Sequence, residues 1–420
     1  MTTQTQTHRP VDARVSAASA HGPQPVRLPR AAADPTSQPL GPVMPLASGV
    51  TLGQLSSAAL VRGNAGRALT LARQLGASVP VIGAGETAVL FETLASLAAV
   101  DLTAARVAEA HLDALAILRQ AGIDPAALFP AGQAGADAAG PVWGVFAAEA
   151  SGLRLDALPV QSGGVHPHAT GGPGADAPSW RLDGTKPWCS LAGSLSHALV
   201  TARTSDSQRR LFAVDLRQPG VGVRAGGWVA LGLPSVPSGP VDFAAVAARP
   251  IGADGWYLQR PGFAWGGIGV AACWFGGAVG VARQLYAAVH TPAHHAPDQI
   301  ALAHLGAIDV LLTACGSALG QAAAAIDSGA ATGTDGARLA ARVRGLVARS
   351  ADEIITRVGH ALGPAPLAFD ARHAQRIADL QLYVRQHHAE RDDAALGRML
   401  LAPGATHAAD GAPAQGGSPW

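Results

Sequence analysis

Two adjacent histidines, His387 and His388, stand in the run Ala378-Asp-Leu-Gln-Leu-Tyr-Val-Arg-Gln-His-His-Ala-Glu-Arg-Asp-Asp. An imidazole changes protonation near neutrality, so either can serve as base or acid. If the run is one helix, His388 and Asp392 share a face four residues apart, where the carboxylate can orient the ring. His387 and Arg391 then share the adjacent face. The same run also suits a solvated helix end, because Arg385, Glu390, Arg391, Asp392 and Asp393 are an ordinary exposed mixture.

Other residues that could do chemistry are less organised. Cys189, Cys273 and Cys315 are far apart and form no CxxC pair, which argues against a zinc site or a disulfide framework and fits a reducing cytoplasm. His166 and His168 sit among the glycines and prolines of Gln161–Pro178, which read as a surface loop, so no metal is expected. A net charge of +1 with only 14% charged residues leaves no electrostatic footprint for nucleic acid or an anionic membrane.

The elements that must position these residues fall into three regions, flanked by polar tails at 1–45 and 403–420. From 46 to 141 the pattern is helical, with Asp101 placed to cap a helix that Gly122 ends. From 142 to 248 strand and turn signals take over: Trp180-Arg-Leu-Asp-Gly-Thr-Lys, His197-Ala-Leu-Val-Thr-Ala-Arg, Arg210-Leu-Phe-Ala-Val-Asp-Leu and Val241-Asp-Phe-Ala-Ala-Val. These predict a β domain of two small sheets. From 249 to 402 helical periodicity returns in four runs, near 263–290, 298–328, 334–361 and 370–401, which predicts an antiparallel bundle. The stretch Phe263–Val289 is apolar enough for a membrane span, but its glycines and Arg283 favour a close-packed helix inside a helical domain.

Several of these stretches resemble the acyl-CoA dehydrogenase family. Leu182-Asp-Gly-Thr-Lys-Pro-Trp-Cys-Ser-Leu-Ala-Gly followed by Ala198-Leu-Val-Thr-Ala-Arg is similar to its L-x-G-x-K-x-W-I-T-N-G strand pair and the strand after it. Phe212-Ala-Val-Asp, Pro219-Gly-Val, Leu231-Gly-Leu, Val241-Asp-Phe-Ala-Ala-Val and Ile251-Gly follow in the family's order. Asp101–His111 resembles a helix of its N-terminal domain, and Gly277-Ala-Val-Gly-Val-Ala-Arg-Gln-Leu the first helix of its C-terminal domain. The resemblance spans about 300 residues by collinear motifs that are individually weak. It implies an α+β multidomain fold: an N-terminal helical domain, a middle β domain and a C-terminal four-helix bundle.

It also implies a bound flavin, FAD in the family, between the β domain and the last helices. Trp188 would lie against the ring, and Ser190 takes the place of a Thr whose hydroxyl meets the hydride-accepting nitrogen. Cys189 between them reads as a small buried filler. Phe146-Ala-Ala-Glu-Ala-Ser-Gly stands where the family has a-x-T-E-P-x-a-G-S-D, which places Phe146, Ala148 and Glu149 at the cofactor. Here the flavin-contacting Thr is Ala148. The family's pyrophosphate-binding Arg is replaced by His290-Thr-Pro-Ala-His-His-Ala-Pro, where His294 and His295 offer weaker contacts.

The family's catalytic Glu falls on His387, beside His388. The reading that follows is a flavin-dependent oxidoreductase removing hydrogens from adjacent carbons of an acyl thioester, with His387 or His388 as base and Asp392 orienting it. The same change also resembles the flavin-dependent monooxygenases of this fold, which use reduced flavin and oxygen on aromatic, sulfur or amine substrates. A flavin-free structural relative is the third reading. Apolar faces on the bundle, and the family's habit, imply a homodimer or homotetramer.

Overall fold

The computed structural model describes residues 22–29, 51–129, 140–160, 180–224, 226–290 and 298–401. Helices α1 (Leu52–Val61), α2 (Ala65–Gly76), α3 (Thr87–Val100), α4 (Leu102–Gln120) and α5 (Pro125–Leu128) come first. Their starts are set locally: Thr51, Asn64 and Asp101 accept the N–H of Gln54, Arg67 and Ala104. Gly122, at φ 69°, takes the left-handed conformation that ends α4.

α3 is buried on nearly every side, although it carries Glu92 and Ser96. Residues 22–29 satisfy both. Val26 N donates to Ser96 Oγ at 2.8 Å and Leu28 N to Glu92 Oε1 at 3.0 Å, while the side chains of Val26 and Leu28 enter the core. The expected loose tail is therefore packed structure at 22–29, where its backbone N–H groups donate to the buried polar side chains of α3. Positions 1–21, 30–45 and 403–420 lie outside the described residues, as do the 161–178 run and the His294–His295 pair.

The strands are β1 (Trp143–Phe146), β2 (Leu155–Pro159), β3 (Trp180–Lys186), β4 (His197–Arg203), β5 (Arg209–Asp215), β6 (Val221–Val223) and β7 (Val241–Ile251). They form one seven-stranded sheet, not two small ones. The cause is β7. It pairs with β3 along Val241–Ala248, and on its other edge with β6 and then with β5 at Arg249–Ile251. A register shift between Leu182 and Gly184 and a positive φ of 53° at Ala245 bend it. β4 pairs with β5 along its length, with β1 in parallel, and with β2 at Asp156 against Arg203, which closes the ring.

Helices α6 (Trp256–Gln259), α7 (Pro261–His290), α8 (Gln299–Asp327), α9 (Gly333–Leu362), α10 (Ala365–Phe369), α11 (Ala371–Tyr383) and α12 (Glu390–Leu401) follow. α7 packs against α3 and α9, with two-thirds of its apolar window buried. A Cβ at Gly276 would stand 2.1 Å from Ala95 O, and one at Gly280 2.7 Å from Ala99 O, so these glycines let α3 and α7 touch backbone to backbone. α8 is also long and apolar enough to cross a membrane, but only 17% of its apolar window is buried.

The expected helix over 370–401 is broken. α11 ends at Tyr383, a 3-10 turn covers Val384–Gln386, and α12 begins only at Glu390. Ala389 is left-handed at φ 46°, and Asp392 Oδ2 accepts the His388 N–H at 3.1 Å, which starts a new helix. From α9, Arg344 Nη2 donates to Gln386 O at 2.9 Å and holds the break.

Candidate active site

The turn between β3 and β4 carries Trp188, Cys189 and Ser190. Trp188 has φ 57° and is 57% exposed, an uncommon backbone for a bulky side chain and a costly place to leave an indole. Leu191, also left-handed at φ 59°, keeps the turn tight, and Cys189 N and Leu191 N donate to Gly239 O and Pro237 O. Cys189 fills the core beneath; burial pushes its thiol up to about 12. The turn thus offers an open indole face beside a hydroxyl.

That hydroxyl is held from two sides. Ser190 Oγ is 2.8 Å from Ser238 Oγ, and Arg106 Nη2 on α4 donates to it at 3.3 Å. Arg106 Nη1 in turn donates to Glu109 Oε2 at 2.8 Å, and Tyr383 OH, at the end of α11, donates to the same oxygen at 3.3 Å. One polar chain therefore connects the barrel turn to α4 and α11. Arg106 and Glu109 lie deep in the protein, yet their side chains keep 15% and 10% of their exposure, so a recess reaches them.

More charge lines this region. Asp113, one turn beyond Glu109, lies 3.9 Å from Arg260 Nη2, and Arg260 Nη1 donates to Gln120. Burial pushes the Glu109 carboxyl above its ordinary range; Arg106 opposes the shift and Asp113 adds to it. Burial likewise raises Asp113, against Arg260 and Arg106. From α9, Arg344 spreads over the Trp274 ring at 4.7 Å and donates to the carbonyls of Gly267 and Gln386. Trp274 is fully buried, meets Tyr383 edge-on, and its indole N–H has no acceptor among the described residues.

Glycines on α7 make room for these charges. A Cβ at Gly266 would meet Asp113 Oδ1 at 2.9 Å, and one at Gly262 would meet Gln120 and Arg260. The glycine run read from the sequence as a close-packing device therefore serves two ends: backbone contact at Gly276 and Gly280, and charged side chains at Gly262 and Gly266.

His387 and His388 do not lie on a helical face as expected, because the helix is broken at them. His387 is buried, and its Nδ1 accepts the Ala389 N–H at 3.2 Å, so that lone pair is already engaged. Its Nε2 lies 3.8 Å from Asp392 Oδ2. Burial depresses its pKa, with Asp392 opposing. His388 is exposed, with Nδ1 3.5 Å from Asp392 Oδ1. Asp392 thus meets both histidines from the first turn of α12, and the i,i+4 face that would have paired His387 with Arg391 does not form. Asp379 has a structural role. Its carboxylate accepts the Leu233 N–H at 2.6 Å and docks the loop before β7 onto α11.

The remaining expected cofactor residues are divided. Ala148 and Glu149 are exposed beyond the end of β1. Glu149 Oε1 takes a hydrogen bond from the buried Lys186 Nζ at 2.8 Å, with Arg209 Nη1 3.5 Å away; Arg203 Nη2 lies 3.9 Å from Oε2, and Lys186 also donates to Thr201. Partial burial would raise the Glu149 carboxyl, but Lys186 and the two arginines bring it below its ordinary range. It therefore neutralises a buried ammonium. The Phe146 side chain is 1% exposed and packs beside Gly144 in the core, so it presents no ring to a cofactor. β1 turns alternate residues inward, and Phe146 is one of them.

Sequence reasoning missed Arg106, Glu109, Asp113 and Arg344. For the first three a signal existed: charges at i, i+3 and i+7 on a helix otherwise composed mostly of Ala, Val and Leu. Arg344 sits on an Arg-rich amphipathic helix and carried no such mark.

No protein-family model and no curated protein sequence matches the chain. Solved structures do. KijD3 with FMN and dTDP-3-amino-2,3,6-trideoxy-4-keto-3-methyl-D-glucose superimposes with a TM-score of 0.66, covering 86% of this chain and 94% of that one at 18% identity. TdsC from Paenibacillus sp. A11-2, with FMN and indole, gives 0.65 over 83% and 95% at 17% identity. A steroid ACAD variant gives 0.59 over 83% and 97% at 18% identity. This chain shares the fold of these three proteins.

Proposed function

We propose that the chain is a flavin-dependent monooxygenase, using reduced flavin and oxygen on a small polar substrate held between the Trp188–Ser190 turn and helices α4, α7, α9 and α11. The observation that carries this reading is the charged recess beneath Ser190. An aliphatic acyl chain laid over Arg106, Glu109 and Asp113 would strip their water and return no hydrogen bond. A further support is His387: the resemblance aligns it with the family's base, yet its Nδ1 lone pair is engaged by Ala389 N–H.

The residues of the turn fit a flavin ring. The exposed Trp188 offers a stacking face, and Ser190, oriented by Arg106 and Ser238, can donate a hydrogen bond to the ring edge. The sequence carries no arginine in His290–Pro297, where the resemblance expects the pyrophosphate's partner, which favours FMN over the FAD that the resemblance implies. KijD3 and TdsC were both solved with FMN. When bound, the reduced flavin supplies two electrons and activates oxygen. The chain supplies orientation, exclusion of water and proton handling.

Acyl-thioester dehydrogenation is the second reading. His388 favours it: exposed, and 3.5 Å from Asp392, it remains a candidate base. A surface for pairing copies into a homodimer or homotetramer lies on α8, where Ile300, Leu302 and Val310 are 58%, 47% and 68% exposed.

Equilibrium dialysis against oxidised and anaerobically reduced FMN and FAD comes first. Protein that binds none of the four is a flavin-free relative, and both enzymatic readings end. Protein that bleaches its own flavin anaerobically with an acyl thioester is a dehydrogenase. The monooxygenase reading expects instead oxygen uptake and an oxygenated product only when reduced flavin is supplied from outside.

A further inference from the structure

Glu109 is the charged group of the recess that touches both Arg106 and Tyr383. The residue is 8% exposed, and Oε2 carries both of its hydrogen bonds, from Arg106 Nη1 and Tyr383 OH. Oε1 has no hydrogen-bond partner among the described residues. A carboxylate offers about four lone-pair sites. Oε1 is not buried away from solvent, so it is open to accept a hydrogen bond from water or from a group that displaces it.

The setting is asymmetric. Arg106, Asp113, Tyr257, Cys273, Tyr383 and Arg344 face Glu109 from α4, α6, α7, α11 and α9. Cys273 and Tyr383 are neutral, since burial raises both, and Arg106 is the cation in contact. Arg106 also holds Ser190, so the bare oxygen belongs to the same recess as the hydroxyl of the flavin turn.

Resting on the flavin reading above, we propose that Glu109 is a catalytic residue that binds the N–H or O–H of the substrate's reacting end and removes its proton, which makes the substrate a protonated amine or a phenol. The proton passes from the heteroatom to Oε1, and the electron pair of the broken bond stays on nitrogen or oxygen, now a better nucleophile. Glu109 becomes a neutral acid, still accepting from Arg106 and Tyr383 through Oε2. It later returns its proton to water in the recess. Burial suits the carboxylate to this role by bringing its pKa nearer the working pH.

The test uses the full-length protein with phenol and benzylamine as protic probes and toluene as the matched apolar probe, titrated calorimetrically with and without flavin. Wild type is expected to prefer the protic probes by about tenfold or more, the worth of one charge-assisted hydrogen bond. Their affinity should fall as pH drops through the Glu109 pKa. Glu109→Gln should lose the acid limb and most of the preference while toluene affinity stays unchanged. Should Glu109→Gln fail to fold, Glu109→Asp must keep the acid limb with weaker protic binding. Equal loss for all three probes, or an acid limb that survives in Glu109→Gln, makes the Arg106–Glu109 pair merely structural and overturns the proposal. Failure of the flavin reading shows separately, as absent flavin binding by wild type.

Discussion

Arg106 Nη2 stands 3.3 Å from Ser190 Oγ, so a guanidinium from an N-terminal helix orients a hydroxyl on a barrel turn 84 residues away. The same guanidinium compensates Glu109. Removing it should therefore do more than loosen a turn. Arg106→Leu leaves a carboxylate buried without its cation and is expected to cost about 3 kcal/mol in urea denaturation at pH 8. The loss should shrink at lower pH as Glu109 protonates. Arg106→Leu combined with Glu109→Leu should recover most of it, because neither charge then remains to be desolvated.

Trp188 trades stability for an exposed ring. Its left-handed backbone favours glycine, so Trp188→Gly should raise stability by about 1 kcal/mol. It should also weaken flavin binding, read by fluorescence quenching of FMN. A variant that gains stability and binds flavin as wild type does would show that the ring plays no part at the cofactor.

Acid sensitivity should trace in part to His111. Its Nδ1 accepts the Trp143 N–H at 3.3 Å, and burial, with the charge of Arg73 adding, lowers its pKa to about 4. A depressed pKa means that the unfolded chain takes the proton first. This stability is present above pH 6.5 and is lost as pH falls toward 4. Between pH 7.5 and 5 the expected loss is about 2 kcal/mol. His111→Gln, compared by denaturation midpoints at the two pH values, should lose correspondingly less.

Two glycine substitutions should move stability in opposite directions. Gly276→Ala places a methyl 2.1 Å from Ala95 O, forces α3 and α7 apart, and is expected to cost about 3 kcal/mol. Gly306→Ala on α8 meets nothing within 4 Å and should gain about 0.5–1 kcal/mol from helix propensity. Thermal melts of the pair separate close packing from backbone entropy.

If α8 is the subunit interface, Val310→Asp should shift sedimentation toward monomer while leaving the far-ultraviolet spectrum unchanged, because Val310 is 68% exposed within the subunit. An unchanged sedimentation coefficient in an oligomeric protein would place the interface elsewhere.

The sequence by itself determined what depends on neighbours along the chain. The cap at Asp101, the stop at Gly122 and strands β3, β4, β5 and β7 follow from local propensity and period. So does the order of helical, strand and helical regions. Collinear motifs placed Trp188 and Ser190 together on one turn. Tertiary structure decided the rest, because each remaining feature depends on groups far apart in sequence. Closure of the sheet needed β7 to find β3 and β5 on opposite edges. The break at His387–Ala389 needed Arg344 from α9 to take the Gln386 carbonyl, where periodicity alone continued the helix. Packing of residues 22–29 needed the buried Ser96 and Glu92 of α3 to accept their backbone N–H groups. The recess needed Arg106 and Glu109 from one helix, Tyr383 from another and Ser190 from the barrel. A buried charge is stable only beside its partner, and which partner it meets is set by how the helices pack, not by local spacing.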